Sequence, residues 1–247
     1  MTTTRNSRPI PILMYHQCAT PPAKGTPFRS LTVDPAVFAR HMRWLKALGY
    51  RGLSMRDLQP YLRGDKQGKV FGLTFDDGFV NVAENAVPIM ADLGFTATNY
   101  FVAAQVGGTN AWDADKGVPT ARLMDGAQIR AWAKAGHEVG SHTIAHANLK
   151  ECSVDQAREQ IGGSRKMLQD VSGEPVDAFC YPYGYYLPEQ CALVAESGYT
   201  NATTTRRGRV QPGQDMMELS RVHVLRSTHF ASMMIKLFTP REELRGR

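Results

Sequence analysis

Short apolar stretches alternate with segments of helical periodicity along most of this 247-residue chain. The alternation predicts strands at 10–15, 70–75, 95–102, 137–141, 178–181, 199–204 and 221–225, and helices at 35–48, 54–62, 81–93, 128–135, 154–171, 188–196 and 230–238. A strand, helix, strand order of this kind is typical of a parallel sheet or barrel with helices outside it. The pattern therefore indicates an α/β fold.

The composition is that of an ordinary globular domain, with 43% hydrophobic and 21% charged residues. The net charge of +6 suits an anionic surface, a phospholipid headgroup or a nucleic acid, and selects none of them. The densest basic stretches are 206–209 and 241–247. No aromatic residues are interleaved with them, so we interpret both as solvated surface and expect no nucleic-acid partner.

The cysteines and the first residues bear on the compartment. No two of the four cysteines have CxxC spacing, which predicts free thiols rather than a zinc ribbon. Residues 1–9 are polar, and the apolar run behind them is too short for a signal peptide. No stretch reaches the length of a transmembrane segment. The sequence as it stands predicts a cytoplasmic protein, or a secreted or periplasmic one if a leader has been trimmed.

Polar residues follow three of the predicted strands. Asp76 and Asp77 follow one strand, His142 and His146 a second, and Tyr183 a third. In α/β barrels the active site is built at the carboxyl ends of the strands. We therefore expect these side chains to meet at one face.

Two of these groups have the character of metal ligands. Gly78 permits a tight turn that would bring Asp76 and Asp77 to one cavity, although an Asp-Gly turn with a helix cap explains the same residues. His142 and His146 are four residues apart, so a helical turn would direct both imidazoles to one side, although capping or surface histidines share this spacing. Together they offer two imidazoles and a carboxylate, which admit Zn²⁺, Co²⁺, Ni²⁺ or Fe²⁺.

Three motifs carry a resemblance to a known family. Thr74 to Gly78 reads TFDDG, Ser141 to His146 reads SHTIAH, and Tyr181 to Gly184 reads YPYG. In this order they resemble the polysaccharide deacetylases of the NodB-homology type, carbohydrate esterase family 4. The resemblance covers roughly residues 10 to 230 and implies a distorted (β/α) barrel, which we expect to form a single domain over residues 1–247.

The resemblance implies a role for each residue. Asp77, His142 and His146 would hold one divalent ion, with zinc the expected metal. Asp76 would be the general base that deprotonates the attacking water, because a ligand carboxylate is committed to the cation. The backbone N–H of Tyr183 would stabilise the oxyanion.

The general acid is expected near the beginning of the chain. The family's usual Leu-x-His motif near the C-terminus does not match the stretch that ends at His223. Leu13 to His16 instead resembles the first strand of a circularly permuted subgroup, the poly-N-acetylglucosamine deacetylases. We predict His16 as the general acid, with His223 as the alternative.

The chain departs from the family pattern around the substrate. Cys180 stands where many members carry an arginine that contacts the base, so the group that tunes Asp76 is left open. Trp112 and Asp113 lie in a long Gly-rich loop and are predicted to supply a sugar-stacking wall and a polar contact; a buried tryptophan that anchors the loop is the alternative. His41 is placed on the solvent face of its helix.

These features predict a metal-dependent hydrolase that removes an N-acetyl group from an amino sugar in a polysaccharide or glycan precursor. A carbohydrate is therefore the expected partner. Hydrolysis of a non-sugar amide or formamide at the same site is a second reading, because the chemistry does not require a sugar. A carbohydrate-binding barrel without activity is a third, although it would be expected to lack the base or a ligand.

Overall fold

Seven parallel strands close into a barrel in the computed structural model, which describes residues 8–246. The strands are β1 Ile12–Tyr15, β2 Gln17–Cys18, β3 Thr32–Val33, β4 Arg51–Leu53, β5 Val70–Asp77, β6 Thr98–Phe101, β7 Glu138–Ser141, β8 Ala178–Cys180, β9 Asn201–Arg207 and β10 Leu219–His223. The barrel order is β1-β10-β9-β8-β7-β6-β5, β4 pairs with β5, and β2 and β3 form a separate pair. The predicted (β/α) barrel is confirmed; residues 1–7 and 247 of the predicted domain lie outside the described residues.

The pairing of β1 with β5 closes the barrel. Met14 lies opposite Thr74 and Tyr15 opposite Phe75 in a parallel register. On its other side β1 pairs with β10. The residue that follows β1, His16, is thereby placed next to the end of β5, where Asp76 and Asp77 lie.

Helices surround most of the barrel: α1 Pro35–Ala47, α2 Met55–Leu62, α3 Val80–Leu93, α4 Gly126–Lys134, α5 Val154–Arg158, α6 Ser164–Ser172, α7 Pro188–Glu196, α8 Phe230–Phe238 and α9 Arg241–Arg245. Asp34 caps α1 by accepting a hydrogen bond from the Ala36 N–H, with Pro35 at the first helical position. The helix predicted at 154–171 contains a π-helical turn, Glu159–Gly163, between α5 and α6. Among residues 8–246, no helix combines the length and apolarity that a membrane crossing requires.

Alternating side chains of the strands form two apolar layers. Leu13, Phe75 and Phe179 belong to the layer between strands and helices, where burying each side chain contributes roughly 1.5–3 kcal/mol. Ile12 and Tyr100 belong to the smaller layer inside the barrel. Because the interior is filled with side chains, a ligand of the barrel binds at the strand ends rather than in a central channel.

The placement of His41 on a solvent face is wrong. His41 is fully buried, accepts a hydrogen bond from Tyr15 Oη at Nδ1 (3.0 Å), and donates from Nε2 to the Thr228 carbonyl (2.7 Å). It lies on the same face of α1 as Phe38 and Met42. The histidine thus ties α1 to the barrel wall and to the segment before α8.

Candidate metal centre

The end of β5 separates its two carboxylates. Asp76 lies within the strand, whereas Asp77 and Gly78 both have left-handed backbones, with φ of 79° and 84°. A Cβ at position 78 would lie 2.6 Å from the Phe101 ring, so this turn requires glycine. The turn leaves Asp76 inside the barrel and brings Asp77 to the wall of an open cleft.

His142 and His146 do not lie on a helical turn, so that part of the prediction is wrong. Thr143 and His146 have left-handed backbones, with φ of 67° and 56°, which break any helix. The Thr143 hydroxyl instead accepts a hydrogen bond from the Ala147 N–H and stabilises a compact loop after β7. The loop nevertheless brings the two imidazoles together, with ring centroids 4.8 Å apart.

Both imidazoles converge on one carboxylate oxygen. Nε2 of His142 lies 3.6 Å and Nε2 of His146 lies 3.5 Å from Asp77 Oδ1. Two ligand atoms each ~2.1 Å from a tetrahedral ion would be roughly 3.4 Å apart. The three residues therefore fit one divalent ion.

The hydrogen bonding and charge of these ligands also suit a cation. His142 Nδ1 donates to the Cys180 carbonyl at 2.7 Å, which fixes the ring and directs Nε2 toward Asp77. Burial raises the pKa of Asp77 to about 7 and lowers the pKa of His146 well below its ordinary value. A buried carboxylate beside two buried imidazoles is a site that a cation would stabilise.

The ring of His146 is held by aromatic contacts. Its Nδ1 is buried and has no hydrogen-bond partner among the described residues. Trp112 stacks on the ring at a centroid distance of 4.7 Å, and Tyr183 packs edge-on at 4.4 Å. One ligand is thus oriented by a backbone carbonyl and the other by stacking.

Arg221, on β10, holds the second carboxylate. Its Nη atoms lie 2.7 and 2.8 Å from Asp76 Oδ1 and Oδ2, and it also donates to the Thr204 carbonyl. Burial alone would raise the pKa of Asp76, but the charge and hydrogen bonds of Arg221 outweigh it and hold that pKa below the ordinary range. Asp76 is therefore ionised and kept apart from the Asp77 ligand group.

Arg221 is the functional residue that the sequence analysis missed. Its Nη2 lies 3.2 Å from Cys180 Sγ, so a guanidinium from β10 occupies the space beside the position where the family pattern has its arginine. The alternation of Leu219, Arg221 and His223 on one face of a strand was the available signal. Leu219 lies inside the barrel, so a charged residue on the same face of the strand requires a buried partner.

A second group of possible ligands lies deeper, formed by Asp76, His142 and Cys180. It fits a cation less well. Burial raises the pKa of the Cys180 thiol far above its ordinary value, and Asp76 is already paired with Arg221. The Asp77 group is therefore the better candidate.

The two candidate acids lie in different surroundings. His16 lines the cleft beside Asp77, and its Nε2 lies 3.8 Å from Asp76 Oδ2. Burial lowers the pKa of His16 to about 4, against the opposing charge of Asp76. His223 instead donates from Nε2 to the Thr205 carbonyl at 2.8 Å and does not line the cleft.

The long loop forms one wall of the cleft. Tyr183 Oη donates to Asp113 Oδ1 at 3.1 Å, and Asp113 Oδ1 also accepts a hydrogen bond from Lys116 Nζ at 2.6 Å. Tyr183 has a left-handed backbone, with φ of 57°. Asp113 faces the cleft, whereas Trp112 lies against His146, so the structure brings Tyr183 and both loop residues to the site.

The opposite wall comes from the segment between β2 and β3. It includes the exposed Phe28 and the side chains of Pro22 and Arg29. Residues Asn110 and Val118 to Ala121 face it across the cleft. The result is a groove that leads to Asp77 and His16 and is open to solvent.

A family model described as polysaccharide deacetylase matches residues 63–202. A Bacillus subtilis protein named as a polysaccharide deacetylase, YxkH, is 27% identical over 223 residues, 90% of this chain and 73% of that protein. The poly-beta-1,6-N-acetyl-D-glucosamine N-deacetylase of Staphylococcus epidermidis is 21% identical over 79% of this chain and 69% of its own.

Solved structures show the same fold. BC0361, a polysaccharide deacetylase from Bacillus cereus, superposes with a TM-score of 0.78 at 26% identity and covers 93% of this chain and 69% of its own. IcaB from Ammonifex degensii superposes with a TM-score of 0.73 at 22% identity over 89% of this chain and 93% of its own. The barrel described above is thus shared with proteins of this type.

Proposed function

The chain belongs to the polysaccharide deacetylase family, and on that premise we propose that it is a metal-dependent hydrolase that removes N-acetyl groups from an amino sugar in a polysaccharide or a glycan precursor. The family supports a hydrolase that acts on amide bonds. The metal dependence, the individual residue roles and the acetylated substrate are the parts that we propose.

The separation of the two carboxylates is the observation that carries the proposal. Asp77 lies beside the imidazoles of His142 and His146, and Asp76 accepts two hydrogen bonds from Arg221. Metal-assisted amide hydrolysis needs a site for the cation and a separate base that the cation does not occupy. This chain supplies the two from adjacent residues with opposite surroundings.

Asp77, His142 and His146 would hold the ion, whose chemistry is to polarise the amide carbonyl and to acidify water. Asp76 accepts the proton of the attacking water. The backbone N–H of Tyr183 donates to the developing oxyanion. Each step uses a group that lies at the carboxyl end of the barrel.

His16 protonates the departing amine. With a pKa near 4 it is neutral at pH 7, so it must first receive a proton. Asp76, at 3.8 Å, is placed to pass on the proton taken from water. A histidine with a low pKa is a strong acid once it is protonated, and it therefore releases the proton to the amine readily.

The relatives and the groove support a sugar substrate. The staphylococcal relative is named for an N-acetylglucosamine polymer. In this chain the groove has a phenyl ring, prolines and polar side chains on its walls, a mixture that is typical of small-molecule sites and suits a sugar ring.

Acetate release tests the proposal directly. Purified protein should release acetate from N-acetylglucosamine oligomers, and a chelator should abolish the release until Zn²⁺ or Co²⁺ is added back. Asp76→Asn should abolish turnover while the ion still binds, because the base is lost and the ligands remain. Turnover that survives the chelator, or that is confined to small non-sugar amides in a parallel panel, would overturn the proposal.

A further inference from the structure

Two rows of apolar side chains lie next to each other on the outside of the barrel, where α1 meets α8. Along α8, Phe230, Met234 and Phe238 follow one another at four-residue spacing, which places them on one face. The second row is formed by Trp44 of α1 and by Leu48 and Tyr50, which follow the end of α1. We call these six residues the apolar strip.

Ring contacts join the two rows at both ends. Trp44 packs edge-on against Phe230 at a centroid distance of 4.7 Å, and Tyr50 contacts Phe238 at 5.7 Å. The strip is nevertheless uncovered: Leu48, Phe230 and Phe238 retain 40%, 46% and 45% of their exposure. Large apolar side chains that lie close together and remain exposed in this way are typical of an interaction site.

The charged side chains of the two helices that carry the strip are all arginine or lysine. Neither α1 nor α8 contains an aspartate or glutamate, while Arg40, one turn before Trp44, and Arg43 are exposed. At the other end Lys69 donates to the Leu48 carbonyl, and Arg8 lines the same surface pocket as Tyr50 and Phe238.

The carboxylates that follow α8 do not neutralise this surface. Glu242 is paired with Arg207 and Lys236, and Glu243 with Arg209. The strip is therefore an aromatic and apolar surface bordered by exposed cations.

We propose that the apolar strip docks the protein onto an anionic lipid bilayer. Tryptophan, tyrosine and phenylalanine rings insert at the boundary between headgroups and acyl chains, and flanking arginines and lysines are attracted to anionic headgroups. A second copy of the chain fits less well, because two strips would bring the same positive charges together. A neutral glycan could stack on the aromatic rings, but it would leave the arginines and lysines without anionic partners.

Docking in this position leaves the groove accessible. The residues that line the groove lie at the carboxyl ends of the strands, and none of them belongs to the strip. The strip lies on the outer wall of the barrel. A docked molecule would thus keep its active site open toward a substrate that lies alongside the membrane.

Vesicle flotation tests the docking without any measurement of activity. The full chain is mixed with vesicles of phosphatidylcholine alone or with one third phosphatidylglycerol, at low and at high salt. We expect flotation with the anionic vesicles only, weakened by salt because the attraction is screened. The emission of Trp44 should shift to the blue on binding, and Trp44→Phe should remove that shift.

A matched pair of variants locates the contact. The strip variant combines Phe230→Ser with Arg40→Glu, and the control combines Met167→Ser with Lys166→Glu, two exposed neighbours on α6. Both variants change the net charge equally and remove one exposed apolar side chain. The strip variant should bind anionic vesicles roughly tenfold or more weakly than wild type, and the control should bind within about twofold of it.

Several results would overturn the proposal. One is wild-type protein that fails to float with anionic vesicles at low salt, and another is a strip variant that binds as the control does. A wild-type dimer in sedimentation equilibrium that the strip variant loses would assign the surface to a second copy instead. Thermal unfolding of both variants checks that each remains folded.

Discussion

Arg221 carries a full charge in a place that is closed to water. It is the largest fully buried side chain of the described chain, and Asp76 is its only charged partner there. The pair is held by two parallel hydrogen bonds, which fix the carboxylate in orientation as well as in charge. The orientation and the charge of the proposed base therefore depend on a residue 145 positions away in the sequence.

Replacing Arg221 should change both the pH dependence and the stability. In Arg221→Met, burial is no longer opposed by the guanidinium, so the pKa of Asp76 rises and the acidic limb of the pH–rate profile moves to higher pH. Removing the guanidinium that pairs with the buried Asp76 should also lower the free energy of unfolding by about 3–5 kcal/mol. Arg221→Lys keeps the charge and should show a smaller shift; an acidic limb that stays in place in Arg221→Met would contradict the assignment.

His16 and His223 can be distinguished by the leaving group. His16→Ala should lower acetate release from an amide roughly 10²–10⁴-fold, because the amine must be protonated. The same variant should lose far less on p-nitrophenyl acetate, whose leaving group needs no proton. His223→Ala should stay near wild type on both substrates, and an equal loss in the two variants would refute the choice of His16.

At the scale of elements, Glu138 links β7 to the beginning of α2. Its Oε2 accepts hydrogen bonds from the Arg56 N–H and the Thr98 hydroxyl. Burial raises the pKa of Glu138 to about 7, above the value near 4.3 expected in the unfolded chain. Folding therefore favours the protonated form, and its contribution is complete below pH ~4 and lost as the pH rises through about 7.

Glu138→Gln should remove this dependence. Urea unfolding at several pH values should show the variant gaining stability relative to wild type between pH 5 and 8, by on the order of 3 kcal/mol. The difference between the two proteins isolates this group from other titrations. A difference that does not vary with pH would rule out a raised pKa for Glu138.

The loop helix Ala111–Lys116 should affect metal affinity through Trp112. Trp112→Ala removes the stack on His146 and should weaken Zn²⁺ binding roughly 10-fold or more, as loss of outer contacts does at other metal sites. Trp112→Phe should keep most of the affinity. Competition with a chromogenic chelator measures both, and equal affinities in wild type and Trp112→Ala would exclude an orienting role.

Most elements were predictable because their signals are local. The helix that begins after Asp34 and the strand that begins at Val70 are specified by a cap and by a buried apolar run. The turn that carries His142 and His146 was not, because its left-handed Thr143 has no sequence signature. The short strand β4, Arg51–Leu53, was missed because it has one exposed and one half-buried end.

At the scale of the whole molecule, the metal should stabilise the fold. Its proposed ligands come from β5 and from the loop after β7, so the ion binds the folded state and not the unfolded chain. Zn²⁺ should therefore raise the unfolding temperature, and chelation should lower it. Binding should strengthen as the pH rises through about 7, where Asp77 loses its proton; an unfolding temperature insensitive to both metal and chelator would refute the site.

The group of proposed ligands could be selected from sequence, and its surroundings could not. Motif order was enough to select Asp77, His142 and His146. Which residue reaches Asp76 depends on the closure of the barrel, since Arg221 lies on a strand that adjoins β1 rather than β5. Periodicity describes one strand at a time and carries no information on pairing across the barrel.

The left-handed backbones of the centre have a consequence for the history of the chain. Four of the five such non-glycine residues found among residues 8–246 are Asp77, Thr143, His146 and Tyr183. Each conformation costs roughly 1–3 kcal/mol, and glycine or asparagine would relieve it. Selection for stability alone would therefore erode these positions first. Lineages that keep all four residues must therefore have been selected for the function of the centre. A descendant that has lost this function should accumulate substitutions at these four positions before it does so in the core.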